Sequence, residues 1–382
     1  MEFSLTSEQV AIQNMARQFT NEKIAPYALL WDERGELPTG ALKEAAELGM
    51  AGIYVSPDFG GSGLDRLDAA IIFEELSMGD PAVSSFLSIH NMCVWMIDQF
   101  GSKELKEKWL TKLCKMTLVS SYCLTEPDCG SDAAALKTSA IKDGNKYIIN
   151  GSKSFISGGG ISDIYLVMCR TGGDGPNGIS AILVPKDTAG VSFGKNENKM
   201  GWNAQPTAAV YFENATVDCC NLIGTEGHGF KIAMSGLDGG RINIAACSLG
   251  AAQTALNKAI SFIQERFAFG KQIASFQALQ FKIADMETEL QAARIFLYQA
   301  AWKLSKNMRD AGKYSAMAKR LVTDIGFRVA NEALQLHGGY GYLKDYGIEK
   351  IVRDLRVHQI LEGTNEIMRV IISREILGRN IS

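Results

Sequence analysis

The chain has 382 residues, 46% of them apolar, which is enough for two or three packed units and a sizeable core. Its 39 Lys and Arg against 42 Asp and Glu leave a net charge of −3 with no basic run, which argues against a nucleic-acid binder. No stretch approaches the ~20 apolar residues of a membrane span, no charged-then-apolar leader is seen, and eight scattered Cys fit reduced thiols inside a cell or organelle.

Residues 1–118 read as helices joined by short turns. Thr6-Ser7-Glu8 carries a helix-start signal, Pro26, Pro38 and Pro57 punctuate the helical stretches, and the glycines of 58–63 mark a turn-rich break. From Val119 the texture changes to short β-branched and aromatic runs at 147–149, 164–168, 179–184 and 209–212. Turn signals at 143–145 and 172–178 separate them, so an antiparallel sandwich or barrel is expected over 119–228. No helix-length segments lie between these strands, which disfavours a Rossmann domain. From Gly229 the helical texture returns. Within 283–304, Ile283, Met286, Leu290, Ala293, Leu297, Ala300 and Leu304 fall three and four apart on one stripe, with Lys282, Glu289 and Gln299 opposite. That stripe suits a helix bundle. The expected architecture is α+β and multidomain: an N-terminal helical domain (1–118), a middle β domain (119–228) and a C-terminal helical bundle (229–382).

Four His (90, 228, 337 and 358) lie far apart without a metal-ligand spacing, so no metal site is expected. Neither a G-x-S-x-G elbow nor a P-loop is present. Three local patterns remain. The run 122–132 (YCLTEPDCGSD) leads a strand into a loop of hydroxyls and open backbone, suited to a ring edge or a phosphate; it also reads as an ordinary strand-to-loop transition. The run 335–342 (QLHGGYGY) offers close approach at Gly338 and Gly339, or a helix end. In 358–366 (HQILEGTNE), Glu362 follows two large apolar residues and precedes a helix start. Desolvation there would make it a usable base, and the helix start could seat a diphosphate; a capping cluster with solvated carboxylates is the other reading.

Together these patterns resemble the acyl-CoA dehydrogenase family over essentially the whole chain. The matching runs are Y-C-L-T-E-P-x-x-G-S-D, R-F-x-F-G-K at 266–271, Q-x-H-G-G-x-G and L-E-G-T-N-E, in the family's order and spacing. The segments 88–93 (SIHNMC), 168–173 (MCRTGG), 338–346 (GGYGYLKDY) and 356–359 (RVHQ) resemble most the short branched-chain branch acting on isobutyryl-CoA. The resemblance implies a helical domain, a middle β domain and a C-terminal four-helix bundle binding FAD, usually as a homotetramer built from dimer pairs. It assigns Tyr122, Leu124, Thr125, Gly130, Ser131, Phe155, Ile156 and Ser157 to the flavin ring. Arg266, Phe269, Phe276, Gln277, Gln335, Leu336, His337, Gly338 and Gly339 would reach a neighbouring subunit's FAD, and Thr364, Asn365 and Glu366 its phosphate side. Ser131, Asp238, Gly239, Gly240, Arg241 and Arg374 resemble acyl-CoA contacts. Glu362 would take the α-proton of the thioester while the β-hydrogen leaves as hydride, and electrons would pass to electron-transferring flavoprotein. Some branches carry the base just before an Arg matching Arg241; here that residue is Gly240, which leaves Glu362 as the base. Asp128 and Cys129 replace a Gly-rich pair, and Phe155 stands where many members have Trp. The implied reaction is isobutyryl-CoA to methacrylyl-CoA in valine catabolism, with 2-methylbutyryl-CoA and short straight-chain thioesters as alternatives and a non-catalytic acyl-CoA or FAD-binding scaffold as a different class. The compartment would be the mitochondrial matrix in a eukaryote, or the cytoplasm in a bacterium.

Overall fold

The computed structural model describes residues 4–378. Six helices come first: α1 (Ser7–Phe19), α2 (Ala28–Arg34), α3 (Thr39–Glu47), α4 (Arg66–Ser77), α5 (Pro81–Phe100) and α6 (Lys103–Cys114). The start of α1 is a capping box, in which Thr6 Oγ1 accepts from Gln9 N and Thr6 N donates to Gln9 Oε1. Asp65 caps α4 in the same way, and Asp80 caps α5 with Pro81 in the first turn, where a missing N–H costs nothing.

Eight strands then form one sheet: β1 (Ser120–Cys123), β2 (Ser139–Asp143), β3 (Lys146–Ser157), β4 (Ile164–Arg170), β5 (Ile179–Pro185), β6 (Val191–Phe193), β7 (Thr207–Asp218) and β8 (Leu222–Ile223). The order is β6–β7–β3–β2–β4–β5–β8, with β1 also on β4. Pairing is antiparallel as expected except that β1 runs parallel to β4, and Ser139 of β2 makes one parallel pair with Arg170. The chain enters the sheet at β1 from α6, and β2 and β3 supply the crossover that a parallel neighbour needs. Central strands β4 and β5 are buried on both faces. Ile164, Leu166 and Met168 pack against the α5–α6 side and the start of the next helix; Tyr165, Val167 and Cys169 face a core inside the β region.

The last part holds α7 (Gly229–Glu265), a hairpin of β9 (Phe267–Ala268) and β10 (Lys271–Gln272), then α8 (Gln277–Ser305), α9 (Ala311–Leu336), α10 (Ile348–His358) and α11 (Asn365–Leu377). On α8 the predicted stripe faces inward: Met286, Leu290, Ala293, Leu297 and Ala300 are buried, with Ile283 and Leu304 partly so. Glu289 and Lys282 pair with Arg328 and Glu332 of α9. One core unites α1 and α3–α5 with α7–α10, so the first and last helical regions share their apolar interior. Among the described residues no helix is long and apolar enough to cross a membrane, and no group of three potential metal ligands occurs. Leu290→Ala should lower stability by about 2–5 kcal/mol through lost transfer energy and a cavity; an unchanged thermal midpoint would contradict the burial of this stripe.

Candidate active site

Glu362 lies in the turn between α10 and α11, and its backbone is left-handed (φ 56°), as is that of Gly363 (φ 87°). A left-handed Glu is costly, so the turn must be held from outside. Arg241 Nε donates to Glu362 O (3.3 Å), Lys319 Nζ to Gly363 O (2.8 Å), and Asn365 N to Gln359 O (3.0 Å). Thr364 caps α11, its Oγ1 accepting from Ile367 N. This conformation lays the Glu362 side chain against α7 at Gly240. A Cβ added at Gly240 would stand 2.6 Å from Oε2 and 3.0 Å from Oε1. Oε2 is shut off from solvent and has no hydrogen-bond partner. Burial pushes the carboxyl up to about 7, while the Arg241 guanidinium and Lys319 ammonium pull it down. Tyr122 Oη is also buried without a partner, and burial and the nearby Glu362 push its hydroxyl up.

Of the predicted acyl-CoA contacts, Gly240 and Arg241 stand beside Glu362, with Asp238 joined to Arg241. Arg241 is buried and already engaged: besides the Glu362 carbonyl, its Nη1 donates to Asp238 Oδ1 at 2.6 Å. It therefore anchors the Glu362 backbone through one of its donors and pairs with Asp238 through another. Gly239 lies against the guanidinium of Arg66, which sits 3.9 Å from the Tyr54 ring centroid and 4.6 Å from that of Trp95. Arg374 is exposed in the last turn of α11, nine residues and about 13 Å of helix beyond Asn365. Asn365 is buried, and its amide is fully engaged with Lys319, Thr323 and Asp324, which leaves it no free donor for a phosphate. Thr364 keeps a hydroxyl proton to donate, and the Glu366 side chain is exposed.

The β-region residues form the second wall, with Tyr122 at its junction with Glu362. The loop after β1 is built on a buried ion pair. Glu126 accepts from Lys153 Nζ (2.8 Å), Lys137 N (2.7 Å) and Thr138 N (2.9 Å), and Lys153 also donates to Leu124 O (3.0 Å). Burial would raise the Glu126 carboxyl, but the Lys153 ammonium holds it below its ordinary value. Reciprocal backbone bonds between Glu126 and Cys129 close the turn, and Cys129 Sγ donates to Asp132 O (2.8 Å). The Asp128-Cys129 pair therefore folds into a closed turn. Thr125 O accepts from Ser154 N at 2.9 Å, fixing the loop to β3. Phe155 sits at a bulge of β3 with φ 58° and is 68% exposed, so its ring is presented outward, and Gly130 and Ser131 on the loop are exposed as well. The Leu124 and Ile156 side chains are buried in apolar cores, which leaves only their backbone for a ligand. Ser157 O accepts from Ser121 Oγ.

The third group lies at the other end of α7. Arg266 follows its last residue, and from Arg241 to Arg266 the helix runs about 37 Å. Arg266, Leu336, His337, Gly338 and Gly339 line one cavity of about 370 Å³. Gly338 (φ 56°) follows the end of α9, so the helix-end reading also holds there. An added Cβ at Gly338 or Gly339 would meet nothing within 4 Å. His337 stacks on Phe262 at 4.6 Å. Phe269 is 94% exposed at the tip of the β9–β10 hairpin and meets Phe276 edge-on at 6.1 Å; Gln277 and Gln335 are exposed nearby in the chain.

Family models for the N-terminal, middle and C-terminal domains of acyl-CoA dehydrogenase match residues 6–117, 121–215 and 227–377. The chain belongs to the acyl-CoA dehydrogenase family. It is 52% identical over 373 residues to the mitochondrial isobutyryl-CoA dehydrogenase of Bos taurus, covering 98% of this chain and 90% of that one. Identity to the Dictyostelium discoideum isobutyryl-CoA dehydrogenase is 54%, with 97% and 90% covered. Among solved structures it is similar to butyryl-CoA dehydrogenase from Megasphaera elsdenii, at 39% identity and TM-score 0.96 over 99% of this chain and 100% of that chain. This acyl-CoA dehydrogenase is thus an enzyme of an FAD-dependent family. Its residues fit that cofactor: an outward aromatic beside an open loop suits a flat ring, and an exposed Arg with two uncrowded glycines suits a diphosphate.

Sequence reasoning missed Lys319, the Glu126–Lys153 clamp and the space at Gly240. A lysine on the apolar face of α9, four residues from Ser315 and from Thr323, was the signal for the first. Gly240→Ala should displace the carboxylate of Glu362 while leaving the fold intact, because the clash is with a side-chain end. About 10²-fold lower turnover is expected with an unchanged thermal midpoint; turnover at the wild-type level would show that Glu362 does not work from this position.

Proposed function

We propose that this enzyme dehydrogenates a short branched-chain acyl-CoA at its α and β carbons, with isobutyryl-CoA to methacrylyl-CoA, in valine catabolism, as the leading reaction. The carrying observation is Glu362 Oε2, a carboxylate oxygen buried against Gly240 with no partner and a carboxyl raised to about 7. An oxygen in that state has a lone pair kept for a proton from carbon. In this reading Glu362 takes the α-proton and Arg241 holds the backbone beneath it. Tyr122 and the packed α7 surface keep water away, and the Glu362 backbone N–H stabilises charge on the thioester oxygen. FAD, when bound, supplies the acceptor for the β-hydrogen and its electron pair.

Tyr122, Thr125, Gly130, Ser131, Phe155, Ser157 and the backbone of Leu124 and Ile156 would flank the ring. Arg266, Phe269, Phe276, Gln277 and 335–339 stand a helix length away from the base, which supports their serving the FAD of a second copy. A homotetramer built from dimer pairs is the assembly that the family resemblance implies, with electron-transferring flavoprotein taking the electrons. Ser131, Asp238, Gly239 and Arg374 would contact acyl-CoA, and Thr364 and Glu366 the phosphate side of the cofactor. In a eukaryotic source the reading places the enzyme in the mitochondrial matrix, and in a bacterial one in the cytoplasm.

The test is anaerobic mixing of purified holoenzyme with isobutyryl-, 2-methylbutyryl- and butyryl-CoA, followed by flavin absorbance and specificity constants. Isobutyryl-CoA should bleach the flavin fastest. A preference for butyryl-CoA would overturn the branched substrate, and a spectrum unchanged by all three would overturn the reaction. The Glu362 carboxyl is raised, so it is protonated below about pH 7 and kcat/KM should climb as pH rises through that value. Glu362→Gln should keep FAD and ligand while losing about 10²–10⁴-fold in rate, the usual range for a lost proton-transfer group. Arg266→Ala should release FAD more readily on extensive dilution, since a charge-assisted contact is removed; undiminished flavin content would count against its assignment.

A further inference from the structure

Lys319 of α9 is 0% exposed, and its ammonium donates to the first and the third residues after Glu362. Nζ donates to Gly363 O at 2.8 Å and to Asn365 Oδ1 at 2.9 Å. Asn365 is fixed in turn by Thr323 Oγ1 (3.0 Å) and Asp324 Oδ1 (2.8 Å), both on the same helix. Lys319 thus holds the left-handed 362–363 turn directly, and Thr323 and Asp324 of the same helix hold Asn365 just beyond it. Burying an ammonium is expensive, and a neutral donor would cap a carbonyl at less cost. A cation kept there therefore matters through its field, and of the groups that interact with that field, Glu362 first and then Arg241, Asp324 and Glu366, Glu362 does so most strongly.

We infer that Lys319 is a positioning residue for proton abstraction: it fixes the turn that carries Glu362, and its charge keeps the carboxylate ionised at lower pH than burial alone would allow. This rests on Glu362 being the base. The groups facing Glu362 are Arg241 from α7, Lys319 from α9, Tyr122 from β1 and Cys93 from α5. Burial pushes both the Tyr122 hydroxyl and the Cys93 thiol up, so neither carries charge near neutrality. Asp238 pairs with Arg241, while Asp324 and Glu366 lie around Lys319. Burial lowers Lys319 to about 7 and Glu362 pulls it back up. Lys319 is therefore charged on the acid side of neutrality, where protonation of Glu362 limits the rate, and its removal must be felt there.

Lys319→Gln keeps a donor for Gly363 O and removes the charge; Lys319→Met is the second uncharged variant should the first not fold. Each should move the acid limb of kcat/KM up by about one pH unit, leaving roughly tenfold less ionised base on that limb. Lys319→Arg, which restores charge, should return the limb to its wild-type position even where its plateau is lower. The carboxyl stretching band of Glu362, identified by its absence from Glu362→Gln and followed by infrared titration without substrate, should shift in step. Coincidence of both limb and band with wild type in the uncharged variants overturns the role of Lys319. Failure of wild-type enzyme to bleach with every thioester overturns the reaction instead, so the two are told apart.

Discussion

In the proposed reaction Glu362 takes a proton from carbon, which demands a carboxylate that is dry and yet able to ionise, and its surroundings answer both of these opposed demands. Dryness comes from packing, because the left-handed backbone folds the side chain onto α7 where Gly240 has no Cβ. Ionisation is favoured by two cations, neither of which is spent on the carboxylate itself. Arg241 is engaged by Asp238 and the Glu362 carbonyl, and Lys319 by Gly363 and Asn365. A direct salt bridge would drive the carboxyl down and occupy the oxygen that must accept the proton. Cations held by other partners contribute field without contact, and that arrangement leaves Oε2 open for chemistry.

The same helix that supplies Gly240 sets the scale of the whole assembly. α7 is buried along much of its length and shares one core with helices from both ends of the chain. It has no freedom to bend its far end back toward the base. Residues 266 and 335–339 are therefore offset from Glu362, which is the separation that the proposed sharing of a cofactor between two chains would need. On the near side, the loop that faces the ring is equally fixed, since Glu126 and Lys153 tie three backbone groups into one buried cluster.

Much of this was legible in the sequence because it is carried by local pattern. The α8 stripe, the capped start of α1 and the strand texture after Val119 each need only neighbours three, four or two residues apart. The four family-like motifs marked the family, which the matches to all three of its domains bear out. Long-range pairings left no such trace. Lys319 and Gly363 are 44 residues apart, Lys153 and Glu126 are 27 apart, and β1 finds its parallel partner across the β2–β3 crossover. Asn365 matched a motif, but its side chain turned out to be committed inward, and only coordinates distinguish a donor aimed at a ligand from one already satisfied. Gly240 was read as a residue unable to act, whereas its contribution is the volume it leaves empty.

That volume explains why the base stands on one wall of the site and not the other. The gap between α7 and the 362–363 turn is so narrow that even a methyl group at position 240 would lie within 3.0 Å of the Glu362 carboxylate carbon and oxygens. It holds one carboxylate and no more. Two acidic groups placed there would repel, and one would be forced to hold its proton permanently. A glutamate at position 240 and one at position 362 are thus exclusive solutions for filling the same pocket. In the proposed reaction the left-handed turn is the backbone that must be held, and Arg241 and Lys319 converge on its carbonyls rather than on the carboxylate.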